Sequence, residues 1–371
     1  MYERFLRSTS TEIFTLWDAD LYALAGWQYV HGVSPDKINF EHPPLAKYLI
    51  GVSEVLFGNQ NMLSAIFGAV TLVVAYLTSR RMFGPSLFGL VPVSMLSFDR
   101  MFLSYSATST LDIYLTFFVA LSSLLFIHAI KKPAFFVLVS ISLGLAFSSK
   151  WTSLFLLPAL VLYLLIRREW RSLKWFLASL PLAALTYCLS YLAFFTSGHT
   201  ILDFISLQTA IYNFQQNRRY LINFPHLKIL LYLLTGIEGP ATFTSIDLAG
   251  TKLVKYGLGM TEYFNPFTWA TSFSAALLAL YYIRNKSGDS ALLLPLWFFS
   301  FLFPMSVGQT YVWYLLPVLP CGFMSIAYVL KNMYDDAKSK DLAGYSVLTY
   351  LLAQFVWSTM IYVPTFVEIS G

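Results

Sequence analysis

Long apolar runs follow one another along the chain from residue 62 to residue 366. Of its 371 residues, 57% are hydrophobic and 12% are charged, and the mean hydropathy is +0.63. A helix that crosses a membrane needs about 20 apolar residues, whereas a soluble domain must cover its core with polar surface. The sequence therefore predicts an all-α polytopic membrane protein, with residues 1–371 forming a single transmembrane domain.

About ten membrane helices are predicted from the runs, and the gaps between the runs differ in charge. The runs cover residues 62–79, 86–98, 102–130, 133–149, 151–166, 174–195, 264–283, 291–307, 312–330 and 344–366. Alternate gaps hold Arg80, Arg81, Lys131, Lys132, Arg167, Arg168, Arg171, Lys174, Arg284, Lys286, Lys331, Lys338 and Lys340. Short loops rich in lysine and arginine stay on the cytoplasmic side, so the remaining loops are predicted to face outward.

The outward face has two long segments, residues 1–61 and 196–263, which contain eleven of the nineteen acidic residues. A functional site is expected in these two outer loops. Within the second, the strings ILDFISLQTAIYNF and LKILLYLLTGIEG predict amphipathic helices on the outer membrane surface. Residues 1–17 lack the hydrophobic core of a signal peptide.

Other classes of function are disfavoured by composition. The net charge of +5 does not indicate nucleic-acid binding, because the basic residues stand at the ends of apolar runs. Cys188 and Cys321 both lie inside such runs, which argues against a disulfide framework or a CxxC metal site.

Acidic residues and one histidine are concentrated in the first outer segment, WDADLYALAGWQYVHGVSPDKINFEHPPLAKYLIG. The candidates are Asp18, Asp20, Glu41 and His42, and for any one acid a solvated loop is the plain alternative. The two prolines after His42 exclude helix immediately before them. His42 is expected to brace the loop, because no second histidine or cysteine stands at metal-ligand spacing.

The strings WDADLY and EHPPLAKYLIG resemble the first outer loop of the protein O-mannosyltransferases that use dolichyl-phosphate-mannose, glycosyltransferase family 39 with the GT-C fold. LDIYLTFF (111–118), GLAFSSKW (144–151) and YLLPVLP (314–320) follow in the order of that family. The chain looks like a short prokaryotic, archaeal-like form without a MIR domain. The resemblance implies a GT-C-like helical bundle in the cell membrane. The implied activity is an inverting transfer of mannose from a polyprenyl (dolichyl) phosphate donor to Ser/Thr hydroxyls of a protein acceptor, on the extracytoplasmic face.

Roles for individual residues also follow from the resemblance. Asp18 matches the catalytic aspartate and would be the general base, while Asp20, Glu41 and His42 would shape the acceptor side. One carboxylate is enough, because a lipid phosphate is already a good leaving group. Donor-phosphate binding is expected from Lys47, Arg100, Asp112, Lys150, Arg218 and Arg219.

Several of these donor-side residues have a plainer interpretation. Lys150 next to Trp151 is typical of a helix anchor at the membrane interface. Arg100 follows Asp99 and is a candidate for its ion-pair partner. Asp112 lies in an apolar run, where an acid is functional by default, but a structural hydrogen bond at a helix end is the alternative. The Arg218-Arg219 pair is also suited to lipid headgroups.

The sequence departs from the family pattern at Ala19, where the family has a second acid, and at Asn61 and Ala107, where it has arginines. The family also has a membrane helix before its aspartate, and seventeen residues precede Asp18 here. These departures favour an alternative, a non-catalytic or partner-dependent subunit that pairs with a homologous partner. A GT-C enzyme with a lipid or glycan acceptor is a further alternative.

Two weaker hypotheses complete the set. Asp18-Ala19-Asp20 spells the DxD pattern, so a divalent ion, Mg²⁺ or Mn²⁺, is a possible cofactor. A secondary transporter fits ten apolar helices, but its typical inverted repeat is not found and the acids gather on one face.

Overall fold

The computed structural model describes residues 18–221, 227–246, 252–284, 290–307, 311–360 and 366–368. Side chains are described in all of these except residues 217–221, 238–246, 252–260 and 366–368. Throughout the described part helices predominate, and a small sheet lies in the C-terminal half.

Sixteen α-helices occur in the described residues. They are α1 (Asp18–Val30), α2 (Leu45–Phe57), α3 (Met62–Phe83), α4 (Val91–Phe98), α5 (Arg100–Ser106), α6 (Leu111–Lys131), α7 (Phe136–Ser149), α8 (Leu156–Ile166), α9 (Trp170–Ser190), α10 (Leu192–Thr196), α11 (Ile201–Leu221), α12 (Lys228–Thr235), α13 (Thr271–Arg284), α14 (Leu293–Val307), α15 (Leu319–Asp336) and α16 (Lys340–Met360). Short 3₁₀ turns precede several of them, and a π-helical turn, Pro266–Ala270, precedes α13.

Nine of the ten predicted runs fall on a helix or on a short chain of helices in the described part. The tenth, 344–366, is helical as far as Met360; residues 361–365 lie outside the described residues, and Phe366 begins a strand. By length and composition, five helical stretches of the described part can cross a membrane: Met62–Phe83, Leu111–Lys131, Trp170–Ser190, Ser290–Val307 and Val312–Asp336. The pair Leu87–Phe98 and Arg100–Ser106 counts as a sixth if its 67° bend lies within one span, and Pro133–Ser149 and Trp151–Ile166 are shorter apolar helices. The prediction of a polytopic helical membrane protein is confirmed. The run at 102–130 is divided, because the chain leaves the helix between Ser106 and Leu111.

The second outer segment contains both of the helices expected there and one element that was not expected. ILDFISLQTAIYNF lies in α11, and LKILLYLL opens the short α12. After α12 the chain forms β1 (Ile237–Ile246) and β2 (Lys252–Met260), an antiparallel pair in which Ile246 stands opposite Lys252. The strand β3 (Phe366–Glu368) pairs with β2.

The chain divides into two compact units. The first comprises Met1–Val74 and Leu103–Leu221, and the second comprises Ala75–Phe102 and Ile222–Gly371. In the first unit, α1 and α2 pack backbone to backbone. A Cβ added to Gly26 would overlap the carbonyl oxygen of Lys47, and one added to Gly51 would overlap that of Gly26. Only glycine permits so close an approach, so these two residues fix the spacing between α1 and α2.

A second close approach joins α7 to α9 within the same unit. A Cβ at Gly144 would stand 2.6 Å from the Cβ of Thr186 and 2.7 Å from the carbonyl oxygen of Ala183. Two buried serines, Ser140 and Ser179, link the same helices with their hydroxyls 2.7 Å apart. Small and hydroxylated residues at helix contacts are typical of membrane proteins, where close backbone packing replaces the hydrophobic driving force.

In the second unit, α15 lies at the centre and most of its residues are buried. Gly322 of α15 faces Ser272 of α13, whose Oγ would lie 2.7 Å from an added Cβ. The fully buried Trp297 and Phe298 belong to α14. The core of this unit is therefore built from three helices of the C-terminal half.

Candidate active site

Asp18 is the first residue of α1, and its side chain is exposed. Asp18 and Asp20 both lie in the first turn, where carboxylates interact favourably with the positive end of the helix dipole. The start of this helix is fixed by Ser109, whose Oγ donates to the carbonyl oxygen of Ala19 at 3.1 Å. Since Ser109 stands two residues before the first residue of α6, the starts of α1 and α6 are neighbours.

Asp112 and Lys150 form a buried ion pair. Asp112 lies in the first turn of α6, and Lys150 is the residue at which α7 ends, in extended conformation. Lys150 Nζ stands 2.7 Å from Asp112 Oδ1, and the two side chains are 6% and 5% exposed. A buried charge is tolerated when an opposite charge and hydrogen bonds compensate its loss of hydration, as they do here.

The exposed carboxylate lies at a helix start next to the one that carries the acid of the buried pair. Both Asp18 and Asp112 stand in the first turn of a helix, and the hydrogen bond from Ser109 to Ala19 holds the two helix starts together. An accessible carboxylate thus lies at the same pair of helix starts as a lysine whose charge a carboxylate balances. Such an arrangement can accept a proton at Asp18 and hold an anion near Lys150.

The neighbour of Lys150, Trp151, is part of a hydrogen-bonded aromatic cluster. Its indole Nε1 donates to the hydroxyl of Tyr187 at 3.0 Å, and that hydroxyl donates to Gln208 Oε1 at 2.5 Å. Tyr191 joins the cluster, with its hydroxyl 3.3 Å from that of Tyr187. These contacts support the segment that carries Lys150. Sequence reasoning missed this cluster, because its members come from three helices and share no motif.

Glu41 and His42 lie in the loop of residues 31–44 that joins α1 to α2. Glu41 is 9% exposed, and its Oε1 accepts a hydrogen bond from Asn39 Nδ2 at 2.9 Å. Gln215 of α11 donates to the carbonyl oxygen of Glu41 at 2.9 Å, and the imidazole of His42 meets the ring of Tyr22 edge-on at 6.0 Å. The expected helix stop is confirmed, because α2 begins at Leu45 directly after the two prolines.

Asp36 holds the other part of this loop. Its carboxylate lies 3.0 Å from Lys37 Nζ and 3.7 Å from His199 Nε2. Burial by itself would raise the pKa of Asp36, but hydrogen bonds from Ser34 and Lys37 outweigh that effect and lower it. Asp36 is therefore a stable anion that links the loop to the segment before α11.

Lys47 is fully buried and its ammonium group binds the same loop. Nζ donates to the carbonyl oxygen of Asn39, to Asn39 Oδ1 at 3.1 Å and to the carbonyl oxygen of His42 at 2.8 Å. Burial lowers the pKa of Lys47 to about 7, while the nearby charge of Glu41 acts in the opposite direction. In this geometry Lys47 holds the loop of residues 31–44, and its expected contact with the donor phosphate stays a prediction.

Arg100 donates to backbone carbonyls of the second unit. Its guanidinium reaches the carbonyl oxygens of Ser358 at 2.7 Å, Glu262 at 3.2 Å and Trp357 at 3.4 Å. Asp99, the residue before it, is fully buried and accepts from the amide of Phe102 at 2.9 Å and from an indole N–H at 2.8 Å. Arg100 thus links α16 to the turn where α4 and α5 meet. The N–H groups that form these bonds point at backbone carbonyl oxygens of the protein.

The remaining predicted residues carry less structural information. Arg218 and Arg219 lie in α11, and their side chains are outside the described part. Among the described residues, no group of three His, Cys, Asp or Glu side chains is placed to hold a metal ion. Asp18 and Asp20 are two positions apart on one helix and so do not face each other, which does not favour chelation by that pair alone.

Comparison with known proteins adds a sequence family. Residues 41–195 match the model of the family described as dolichyl-phosphate-mannose-protein mannosyltransferase. The match includes the loop at Glu41 and the Asp112–Lys150 pair, while Asp18 precedes it. A Pseudomonas aeruginosa undecaprenyl phosphate-α-4-amino-4-deoxy-L-arabinose arabinosyl transferase is 28% identical over 164 residues, which are 41% of this chain and 30% of that protein. The matched segment thus spans less than a third of this curated relative.

Two solved structures have the same fold over most of the chain. ArnT from Cupriavidus metallidurans bound to undecaprenyl phosphate has a TM-score of 0.63 at 18% identity, covering 90% of this chain and 59% of ArnT. The Saccharomyces cerevisiae protein O-mannosyltransferase Pmt1-Pmt2 complex bound to its sugar donor has a TM-score of 0.55 at 12% identity, covering 92% of this chain and 85% of that chain. The family match over residues 41–195 covers less than half of the chain, and the likeness to the two solved structures shows that the chain has the fold of these membrane proteins.

Proposed function

We propose that this protein transfers a mannosyl unit from a polyprenyl (dolichyl) phosphate donor to Ser or Thr hydroxyls of a protein, on the extracytoplasmic side of the membrane. One observation carries the proposal: the exposed Asp18 lies in the first turn of α1, which is hydrogen-bonded through Ala19 to Ser109, just before the helix that carries Asp112 of the buried Asp112–Lys150 pair. The family match over residues 41–195 and the lipid-phosphate ligand named for ArnT support the class of donor.

In the proposed reaction, Asp18 is the general base. The acceptor hydroxyl oxygen attacks C1 of the sugar, the bond between C1 and the phosphate oxygen breaks, and the hydroxyl proton passes to Asp18. Attack from the side opposite the leaving group inverts the configuration at C1. Polyprenyl phosphate departs as a stable anion, so no general acid is needed.

Lys150 is the proposed cation for the departing phosphate. While no donor is bound, Asp112 balances its charge; a phosphate oxygen can then share or take over that position. Asp112, at the first turn of α6, would keep the lysine in place and charged. We propose that the acceptor side is shaped by Glu41, His42 and Asp20. The loop of residues 31–44 joins α1 to α2, and α2 packs against α1, the helix that carries Asp18 and Asp20.

A second candidate differs in sugar and acceptor. The arabinosyl transferase relative is named for a different sugar, linked to undecaprenyl phosphate. The second candidate is therefore transfer of a sugar other than mannose to a lipid or a glycan. The proposed roles of Asp18 and Lys150 are the same in both candidates, because they concern the phosphate and the hydroxyl proton.

The test is transfer of radiolabelled sugar by the purified protein, comparing polyprenyl-phosphate-mannose with the aminoarabinose donor and Ser/Thr peptides with lipid acceptors. Asp18→Asn should lower the rate by about 10²- to 10⁴-fold, the usual contribution of a general base. Asp341→Asn is the matched control, because Asp341 is likewise an exposed carboxylate in the first turn of a helix, α16. Its rate should stay within a few-fold of wild type.

The outcomes separate the alternatives. Unchanged transfer by Asp18→Asn would remove the proposed base. No transfer by wild type with any donor would contradict an enzyme that acts alone and favour a subunit that needs a homologous partner. Loss of wild-type activity with EDTA would show a divalent metal requirement.

A further inference from the structure

The ammonium group of Lys47 is surrounded by protein acceptors, which a lysine that binds a ligand would not need. Its side chain is fully buried, and its three N–H bonds are matched by three acceptors, two on Asn39 and the carbonyl oxygen of His42. A lysine ammonium has three donors and no acceptor, so this set satisfies it completely. A donor phosphate could reach Nζ only by displacing the loop that now covers it.

The loop contacted by Lys47 is held in an unusual backbone conformation. Asn39 has a φ of 46°, in the left-handed region, which asparagine tolerates better than most residues. Its side chain accepts from Lys47 and donates to Glu41, so the amide links the lysine to the carboxylate. The ammonium therefore fixes both the backbone turn at Asn39 and the position of the Glu41 side chain.

The other side of Lys47 faces the helix that carries Asp18. The Lys47 carbonyl oxygen packs directly on Gly26 of α1, at a spacing that leaves no room for a Cβ. Nζ lies 5.4 Å from the centroid of the Tyr29 ring, also in α1. The Tyr29 hydroxyl in turn donates to the carbonyl oxygen of Ile38 at 2.6 Å. One buried residue thus contacts both α1 and the loop of residues 38–42.

We propose that Lys47 is a positioning residue, which sets the place of Glu41 and His42 relative to the Asp18 helix and thereby organises the acceptor side of the site. The inference rests on the proposed function for its meaning in catalysis. It assigns Lys47 to the acceptor half of the reaction and leaves donor phosphate to Lys150.

The positioning role explains why a lysine is suited to position 47. Three carbonyl-type oxygens converge on one point, and each needs a donor in a place without water. Methionine would match the volume of the side chain but leave these oxygens without a hydrogen-bond donor if the loop stayed closed. The loop of such a variant should therefore open.

The experiment compares Lys47→Met with Lys150→Met in detergent-solubilised protein, using two measurements. The first is the Kd for a synthetic C55 polyprenyl phosphate. The second is cleavage by a glutamate-specific protease after Glu41, which is 9% exposed and accessible only when the loop opens. For Lys47→Met we expect an increase of about tenfold or more in cleavage rate, with the Kd within about threefold of wild type. For Lys150→Met we expect the Kd to increase by about tenfold or more, with the rate of cleavage after Glu41 within about threefold of wild type.

A kinetic comparison gives the readout that a purely structural role would not produce. Lys47→Met should raise KM for the acceptor and lower kcat while KM for the donor stays unchanged. Tyr29→Phe, which removes the hydrogen bonds from the Tyr29 hydroxyl to the carbonyl oxygens of Pro35, Ile38 and Asn39, serves if Lys47→Met does not fold. It should increase cleavage after Glu41 by a smaller factor and leave the Kd unchanged.

The proposal is overturned if Lys47→Met weakens polyprenyl phosphate binding about tenfold while cleavage after Glu41 is unchanged, because the lysine would then be a donor ligand. A tenfold weaker Kd in Tyr29→Phe would overturn it equally. If wild type does not bind polyprenyl phosphate at all, the proposed donor class fails. The protease comparison still decides whether Lys47 holds the loop.

Discussion

Two helix junctions in this protein each place an acid and a base close together, and they compensate the charges in different ways. In the first unit Asp112 and Lys150 bind each other, side chain to side chain, at 2.7 Å. In the second unit Asp99 and Arg100 are adjacent in sequence, but Asp99 accepts from N–H groups of Phe102 and Trp269 and Arg100 donates to backbone carbonyls. An ion pair can exchange one partner for a ligand ion, whereas bonds to backbone carbonyls hold a chain segment in place. We therefore propose ligand binding at the first junction and structural support at the second.

The largest expected effect is at the ion pair. Lys150→Met leaves Asp112 buried without its partner and should lower the free energy of unfolding by about 3–5 kcal/mol. The double variant Asp112→Asn/Lys150→Met removes both charges and should recover much of that loss, measured by denaturant unfolding in detergent. Polyprenyl phosphate binding should remain weak in both variants. Restored binding in the double variant would contradict a ligand role for Lys150.

A smaller effect is expected at the second junction. In Asp99→Asn the amide can accept one of the two present hydrogen bonds, but its NH₂ group must face the other N–H donor. We expect a loss of about 1–3 kcal/mol in the free energy of unfolding, the usual cost of an unsatisfied buried group. The Kd for polyprenyl phosphate should not change. If binding is lost while stability is kept, Asp99 belongs to a site and the contrast between the two junctions is wrong.

Much of the fold could be predicted because membrane crossing imposes a length and an apolar composition on each helix. The proline pair after His42 also fixed the start of α2. The hairpin of β1 and β2 was missed, because the apolar content of the second outer segment indicated amphipathic helix. Its Thr, Val, Ile and Phe residues, such as those in TFTSI, are as typical of strands.

The site was predictable as a set of residues but not as a set of contacts. Asp112 and Lys150 were both candidates, yet they lie 38 positions apart and meet only because α6 begins where α7 ends. The main partner of Arg100 is the carbonyl oxygen of Ser358, 258 positions away. Neither Asn39 nor Gln215 carries a motif, although both position Glu41. Residue types indicated the chemistry. Tertiary packing determined which cations bind groups of the protein, as Arg100 binds backbone carbonyl oxygens.

The smallest effect concerns Lys47, whose amino group donates to carbonyl-type oxygens. Burial lowers its pKa from the ordinary value of 10.5 to about 7, against the charge of Glu41. Between these two pH values the unfolded chain binds a proton that the folded protein does not. The free energy of unfolding should therefore rise with pH from 7 to about 10, with a slope of at most about 1.4 kcal/mol per pH unit, and this contribution is constant below pH 7.

The control for this slope is Lys47→Met, because the other titrating groups are common to both proteins. Burial raises the pKa of Tyr29, so the hydroxyl of this neighbour of the amine stays neutral across this range. Denaturant unfolding at pH 7, 8 and 9 should give a steeper rise for wild type than for the variant. Equal slopes would mean that Lys47 stays protonated under its carbonyls. Lys47 would then act as Arg100 does, as a charged side chain that holds backbone carbonyl groups in place. Its hydrogen bonds to the carbonyl oxygens would outweigh the effect of burial on its pKa.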